Sequence, residues 1–204
     1  MIDATVEVSV NDVKRRLGAL EKKAALVMAR AANRSVTTGK KVIRQETARK
    51  YMVLQRDVES ILKVKRATQR YPLVKLEFED DHKNLFYWSK RGGNSVVTPN
   101  VPVTYDGDGT PQPKVYHAKV ERQNGAKELG GNRKPFVQIA RKSGNIALFR
   151  RTGNSSKEIV GVAAPALPQI IGNAEVLQRF EQETSKMLLE RLEHEISYEL
   201  GKGV

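Results

Sequence analysis

The stretch from Lys134 to Pro168 constrains the fold of this chain more than any other. Two short apolar runs, at 135–140 and 146–149, are separated by a loop containing Gly and Asn, which is typical of two antiparallel strands joined by a turn. A second polar loop leads to a third apolar run at 159–162. The small residues and prolines of 163–168 then end the pairing, because proline has no N–H to donate to a strand ladder. The sequence therefore predicts a three-stranded meander just before the last helix.

Long amphipathic helices are predicted at both ends of the chain. Apolar residues recur with a helical period from Asp12 to about Arg49, which predicts one long helix or two in line; a single straight helix of that length would exceed about 50 Å. Gly18 and Gly39 are weak points of this helix, and the run Thr37–Gly39 is where we expect a bend. Asn173 is expected to cap a final helix from about Ala174 to Leu200. We expect an acidic outer face on that helix, formed by Glu181, Glu183, Glu190, Glu193, Glu195 and Glu199.

The remaining segments predict strands and one loop-rich insertion. Alternating apolar and polar residues predict a short strand at 4–10 and a hairpin formed by 61–67 and 73–79. Residues 80–130 are expected to form a loop and hairpin insertion that contains an Asn124-Gly125 turn. The predicted fold class is therefore α+β, with the long N-terminal and C-terminal helices packed on an antiparallel β-sheet. We expect one domain, 1–204.

Composition narrows the classes of protein that the chain can belong to. There is no cysteine, which excludes disulfides and thiolate metal sites. Neither a leader peptide nor an apolar stretch long enough for a membrane span is evident, so we expect a soluble protein with no membrane partner. The formal net charge is +13, and most of the surplus lies in the first 72 residues. Such a concentration of positive charge indicates an anionic partner.

A set of basic residues is the strongest candidate for nucleic-acid or partner contact. Three interpretations stay open: a solvated helix face, a contact with the acidic last helix of a neighbouring subunit, and sequence-independent contact with phosphates. Arg30 with Arg34, and Lys40 with Arg44, are like-charge pairs four residues apart on a helix, which an anion would relieve. The candidate residues are Arg30, Arg34, Lys40, Lys41, Arg44, Lys63, Lys65, Arg66, Arg141, Lys142, Arg150 and Arg151.

The best enzymatic hypothesis is a metal-dependent nuclease that uses an acidic cluster. Glu77, Glu79 and Asp81 lie close together in sequence, and clustered carboxylates can hold Mg²⁺ for phosphodiester hydrolysis. The alternative, a strand end with solvated charges, is favoured. The three histidines lie in no metal-ligand spacing. We therefore expect no enzyme, no catalytic residue, no metal site and no cofactor, with a nuclease or a non-specific DNA-binding protein as the alternative.

The meander stretch resembles the C-terminal half of the phage minor tail protein Z family. The resemblance depends on the order of an aromatic-headed strand, a glycine turn, Leu-Phe-Arg-Arg-Thr-Gly, an Ile-led strand and a proline exit. Two N-terminal segments also resemble the family: Ala31–Arg34 within a long helix, and 63–68, Lys-Val-Lys-Arg-Ala-Thr. The meander residues that match are Phe136, Gly144, Phe149, Arg150, Arg151, Thr152, Gly153, Ile159 and Pro168.

The resemblance implies a structural component of the virion of a long-tailed phage or prophage. Such a protein acts late in tail assembly, in the cytoplasm of the bacterial host, at the head-proximal end of the tail. It makes the tail competent for head joining and DNA passage. Related tail-completion proteins form rings, commonly hexamers. The expected partners are therefore further copies of this chain, other tail or neck proteins, and DNA in the tail channel.

Overall fold

The computed structural model describes residues 2–4, 9–86, 97–100, 115–130, 133–139, 144–153 and 158–202. The chain folds into two compact units. The first unit contains Met1–Thr47, Gln55–Asp80 and Leu167–Val204, and the second contains Ala48–Leu54 and Asp81–Ala166. No helix within the described residues is both long enough and apolar enough to span a bilayer.

Helices dominate the first unit. They are α1 (Val10–Leu17), a 3-10 segment (Gly18–Lys23), α2 (Ala24–Lys50), α3 (Gln55–Ser60), α4 (Leu167–Ile171) and α5 (Ala174–Gly201). Asn173 caps α5 as predicted, since its Oδ1 accepts a hydrogen bond of 3.1 Å from the backbone N–H of Glu175. The short helix α4 was not predicted, and it tolerates Pro168 because the proline lies in its first turn.

A three-stranded antiparallel sheet completes the first unit. Its strands are β1 (Ile2–Ala4), β2 (Leu62–Lys65) and β3 (Lys75–Phe78), with β3 in the centre. The predicted hairpin is confirmed, with Leu62 opposite Phe78 and Lys65 opposite Lys75. The predicted strand at 4–10 is wrong at its end, because Val10 already belongs to α1.

The core of the first unit lies between α1, α2 and α5. Its buried side chains are Val13, Leu17, Ala24, Val27, Met28, Ala29, Ala31, Ala32, Ala67, Leu188, Leu192 and Ile196. Many of the α2 members are alanine, so that the neighbouring helix can lie close to its backbone. Helical periodicity in the sequence predicts an apolar stripe on α5 that includes Leu188, Leu192, Ile196 and Leu200; the first three are buried, but Leu200 is 42% exposed, so the prediction is wrong there.

The break in the N-terminal helix lies near Gly18 rather than at Thr37–Gly39. Gly18 has φ +52°, and Leu20 has non-helical backbone angles, which separate α1 from α2. The predicted bend at Thr37–Gly39 is wrong, because α2 runs without interruption from Ala24 to Lys50. Gly39 has a different role. A Cβ atom at this position would lie 2.9 Å from Cε2 of Phe180 on α5, so glycine permits close approach of the two helices.

The second unit is built from strands. These are β4 (Val97–Asn100), β5 (Val115–Ala118), β6 (Lys127–Glu128), β7 (Phe136–Ile139), β8 (Ile146–Arg151) and β9 (Ile159–Gly161). They form two antiparallel sheets, of order β4-β5-β6 and β7-β8-β9. The second of these sheets is the predicted meander, with Phe136 opposite Phe149 and Arg151 opposite Ile159.

The hairpin predicted around Asn124-Gly125 exists, but its connection is longer than a two-residue turn. Strands β5 and β6 pair with His117 opposite Glu128. The chain leaves β5 after Ala118 because its backbone then bonds to the end of α2: the N–H of Met52 donates to the Val120 carbonyl, and the N–H of Arg122 donates to the Lys50 carbonyl.

Asn84 extends the meander sheet with its side chain. Its Nδ2 donates to the Leu148 carbonyl at 2.7 Å, and its Oδ1 accepts from the Leu148 N–H at 2.9 Å and from the Phe86 N–H at 3.0 Å. Its backbone also forms a bridge with Ala163. Because Leu148 is fully buried, its backbone groups need such partners. Strand pairing therefore continues to Ala163, into the segment where we expected it to end.

The α+β fold class is confirmed. Both long helices are present, and Leu76 of β3 lies beside α2 and α5, where it lines a small cleft with Gly39, Phe180 and Thr184. The strands are divided among three small sheets. The region predicted as an insertion, 80–130, falls almost entirely within the second unit.

Replacing Gly39 with valine should test the close approach of α2 and α5. The valine Cβ would overlap the Phe180 ring and approach Thr184 Oγ1, so we expect the free energy of unfolding to fall by about 1–3 kcal/mol. Urea denaturation measures this quantity. The matched control is Thr37→Val, an exposed position on the same helix, which should change it by no more than about 0.5 kcal/mol. Equal effects of the two substitutions would contradict the assigned role of Gly39.

Candidate nucleic-acid or partner interface

The basic residues of α2 share one face of the helix. Positions 30, 34, 37, 41 and 44 recur at intervals of four and three residues, which places them in a row along an α-helix. Four of the five carry a positive charge, and the fifth, Thr37, is exposed. The predicted candidates Arg30, Arg34, Lys41 and Arg44 are thus brought together. We call these four residues the α2 stripe.

Two buried carboxylates on α5 pair with one end of the α2 stripe. Arg30 Nη1 lies 2.6 Å from Glu199 Oε1, and Lys23 Nζ lies 2.9 Å from Glu199 Oε2. Arg34 contacts Glu195 Oε1 as an ion pair, without the alignment of a hydrogen bond. Glu195 is 1% exposed and Glu199 is 3% exposed. Burial of these carboxylates is tolerated because cations compensate their charge.

The predicted acidic outer face of α5 needs correction. Glu195 and Glu199 lie on the inner face, and Glu193 is exposed but paired with Arg16 of α1, with Nη1 to Oε1 at 2.6 Å. The other three glutamates are exposed, but Arg179, Lys186 and Arg191 are exposed on the same helix. The outer face is therefore mixed in charge. Helical periodicity alone could not show which glutamates are buried. Glu195 and Glu199 lie beside the apolar positions of the helix, and they are buried because cations of α2 pair with them.

Lys40 and Arg44 share a single carboxylate. Arg44 Nη1 lies 2.5 Å from Glu59 Oε2, and Lys40 Nζ lies 3.7 Å from Glu59 Oε1. Glu59 is on α3, so this contact fixes α3 beside the C-terminal half of α2. Two cations against one carboxylate leave an uncompensated positive charge here.

Lys63 and Lys65 of β2 pair with glutamates of the neighbouring strand. Lys63 Nζ lies 2.9 Å from Glu79, and Glu77 accepts from Lys65 at 2.7 Å and contacts Lys75 at 3.1 Å. Hydrogen bonds from Lys65, and then from Lys75, hold the pKa of Glu77 below its usual value, and Lys63 does the same for the pKa of Glu79. These carboxylates neutralise lysines on a sheet surface.

The nuclease hypothesis depends on these same carboxylates. Within the part of the chain that the structure describes, no group of three or more His, Asp or Glu side chains is arranged to hold a metal ion. Glu77 is mostly buried under its two lysines, and Asp81, the third residue of the hypothesis, is exposed. The geometry therefore gives the nuclease interpretation no support.

Sequence reasoning missed the role of Asn33. Its Nδ2 donates to the Ala67 carbonyl at 2.9 Å, and its Oδ1 accepts from the Ala67 N–H at 3.0 Å. This pair of hydrogen bonds fixes the chain after β2 against α2 at Ala67, the residue that follows the candidate Arg66. It also joins the two N-terminal segments that carry the family resemblance, Ala31–Arg34 and 63–68. The resemblance of both segments to one family was the signal in the sequence that pointed to these residues.

Several predicted candidates differ in their surroundings. Lys41 and Arg66 are exposed, and neither has an acidic partner within the described residues. In the second unit, Arg151 lies over the Phe136 ring at 5.4 Å, and Arg150 donates a long hydrogen bond of 3.4 Å to the Gly130 carbonyl. Arg141 and Lys142 lie outside the described residues. Of the candidates that lie within the described residues, Lys41 and Arg66 are thus the cations most available to a partner.

Comparison with protein-family models, with curated proteins and with solved structures finds no match for this chain. The resemblance to the minor tail protein Z family therefore depends on the residues themselves and stays a prediction.

The stability of the first unit should depend on pH through Glu199. Hydrogen bonds from Lys23, and then from Arg30, hold the pKa of Glu199 below its usual value. The folded chain therefore binds fewer protons than the unfolded chain, whose Glu pKa is about 4.3. The stabilisation is complete above that pH and is lost as the pH falls through the lower, folded-state pKa.

Glu199→Gln should therefore lower the melting temperature at pH 7 and reduce the fall in melting temperature between about pH 5 and pH 3. Circular dichroism melts across this pH range measure both effects. The matched control is Glu183→Gln on the exposed face of α5, which should keep the acid-induced fall of the wild-type protein. An unchanged fall in Glu199→Gln would show that its ion pairs do not contribute.

Proposed function

We propose that this chain is a minor structural component of the tail of a long-tailed phage or prophage, related to the minor tail protein Z family. It acts at the head-proximal end of the tail as a subunit of a ring and makes the tail competent for joining to the head and for DNA passage. The proposal places the protein in the virion, after assembly in the host cytoplasm.

The observation that carries this proposal is the meander of the second unit. The residues that resemble the family have structural roles in it: Phe136 and Phe149 are opposite each other with ring centroids 6.3 Å apart, and Gly144 has φ +66° in the connection between their strands. Ile159 begins the third strand. Matching residues that occur in the same order and stabilise the same sheet support an evolutionary relationship to the family better than a similar composition would.

The Asn33–Ala67 hydrogen bonds give the proposal independent support from the first unit. They bring together two segments that are distant in sequence but both resemble the same family. Ala31, Ala32 and Ala67 also belong to one buried cluster. The resemblance thus covers residues that pack against each other.

The contact between ring subunits needs revision. We expected the acidic last helix to meet a basic face of a neighbouring subunit, but Glu193, Glu195 and Glu199 pair with cations of their own chain. A ring would therefore use another surface. Exposed apolar side chains on the β7-β8-β9 sheet, Ile139, Ile146 and Val160, are the candidates for that contact.

Deletion of the gene from the phage or prophage that carries it tests the proposed function. We expect filled heads and tails of normal length that remain unjoined, visible by electron microscopy of the lysate. Expression of the wild-type chain from a plasmid should restore joined, infectious particles. Normal particles after deletion would contradict the proposal, and so would a lysate without any tails, because that would place the protein early in tail assembly.

Light scattering of the purified chain at low and high salt tests the ring. We expect a discrete multimer, with a hexamer as the favoured size, whose mass does not fall at high salt, since the ion pairs of α5 lie within one chain. Ile139→Asp with Val160→Asp should convert it to a monomer, whereas Lys186→Ala with Arg191→Ala on the exposed face of α5 should not. Dissociation of the wild-type protein by salt would contradict an apolar contact.

A further inference from the structure

The α2 stripe has the dimensions of an extended binding surface. Arg30 and Arg44 are fourteen residues apart on a continuous helix, which corresponds to about 21 Å along its axis. The opposite face of α2 is buried along the length of the row, with Ala31, Ser35, Gly39 and Ile43 among its buried residues, so the cations all lie on the outward face of the helix. It therefore presents positive charges at fixed intervals along one line.

The two ion pairs at the N-terminal end of the stripe are oriented so that a partner would meet mainly their positive ends, whereas at the other end Glu59 (47% exposed) is more exposed than its partner Arg44 (26% exposed). The side chains of Arg30 and Arg34 are 40% and 52% exposed, whereas those of Glu199 and Glu195 are 4% and 2% exposed. The carboxylates lie between the helices, and the guanidinium groups reach the surface. Because the carboxylates compensate each guanidinium group from its buried side, the exposed guanidinium nitrogens remain able to contact an anion.

The C-terminal part of the stripe carries an excess of positive charge. Arg44 and the adjacent Lys40, which is not a member of the stripe, share the single carboxylate of Glu59, and Lys41 has no acidic partner in the described part of the chain. Arg66 is a further exposed cation, and the backbone of its neighbour Ala67 is bonded to Asn33, the residue before Arg34 of the stripe. Neighbouring cations of like charge repel one another unless an anion lies across them.

We infer that the α2 stripe and Arg66 form a surface that binds the phosphate backbone of duplex DNA. A row of cations along one face of a continuous helix fits a stiff polymer with regularly repeated negative charges, and duplex DNA carries about one charge per 1.7 Å of axis. Contacts of this kind position the duplex without selecting its sequence. The inference rests on the proposed function only for the source of the DNA, which would be the genome passing through the tail.

Fluorescence anisotropy with a labelled duplex of arbitrary sequence, over a series of salt concentrations, tests this surface. The wild-type protein should bind at low salt. The double variant Lys41→Ala with Arg66→Ala should bind about tenfold more weakly and should reduce the slope of log affinity against log salt by about 2, because two phosphate contacts are lost. Arg30 and Arg34 are left intact because their removal would leave buried carboxylates unpaired.

The matched control is Lys186→Ala with Arg191→Ala, which removes the same charge from the exposed face of α5. It should bind DNA within about twofold of the wild-type protein. A second variant, Thr37→Glu, keeps every cation but places a carboxylate between Arg34 and Lys41, and it should also weaken binding. Melting temperatures equal to that of the wild-type protein confirm that the variants are folded.

Absence of binding by the wild-type protein at low salt would overturn the inference, and so would equal weakening by the two double variants, because it would show diffuse attraction to net charge. Neither result would affect the deletion phenotype. A protein required for head joining that does not bind DNA would keep the proposed function and lose this surface. If DNA binding requires Lys41 and Arg66 but particles are normal after deletion, the DNA-binding surface is supported and the proposed function is contradicted.

Discussion

The architecture of the first unit depends on two carboxylates that are buried between helices. Glu195 and Glu199 lie one turn apart on α5, and both are almost inaccessible to solvent. Moving a charge out of water is costly, so α5 can pack in this register only where Arg30, Arg34 and Lys23 meet those carboxylates. A shift of one turn along α2 would leave the pairs mismatched. The apolar contacts between these helices involve many alanines and would allow more than one alignment. The ion pairs thus select one of these alignments.

The same contacts determine what the surface presents to a partner. The chain carries a formal charge of +13, but several of its most clustered cations are already committed to glutamates of α3, α5 and β3. This pairing changes the interpretation of the basic set. An acidic helix that was expected to recruit a neighbouring subunit instead holds its own chain together. Lys41 on α2 and Arg66 after β2 are exposed and have no acidic partner within the described residues.

Side-chain amides serve as structural connectors in both units. Asn33 bonds to both backbone groups of Ala67, and Asn84 bonds to both backbone groups of Leu148. In each case one amide side chain bonds to both the N–H and the C=O of a single residue, because it offers a donor and an acceptor together. In the first unit, Asn33 holds Ala67, the residue next to Arg66, against α2. In the second unit, Asn84 extends the meander sheet at Leu148.

Local periodicity predicted the two long helices, the β2–β3 hairpin and the three-stranded meander, and composition showed the surplus of positive charge. Neither could show that Glu199 is buried, because its partner Arg30 lies 169 positions away in the chain. The sequence suggested that Gly39 weakens its helix, whereas in the structure it allows Phe180 of α5 to pack closely against α2. The sequence also could not show that Asn33 fixes Ala67, the neighbour of Arg66, against α2. Contacts between distant residues assign each polar side chain to core or surface, because burial of a charge or an amide depends on the partner that compensates it.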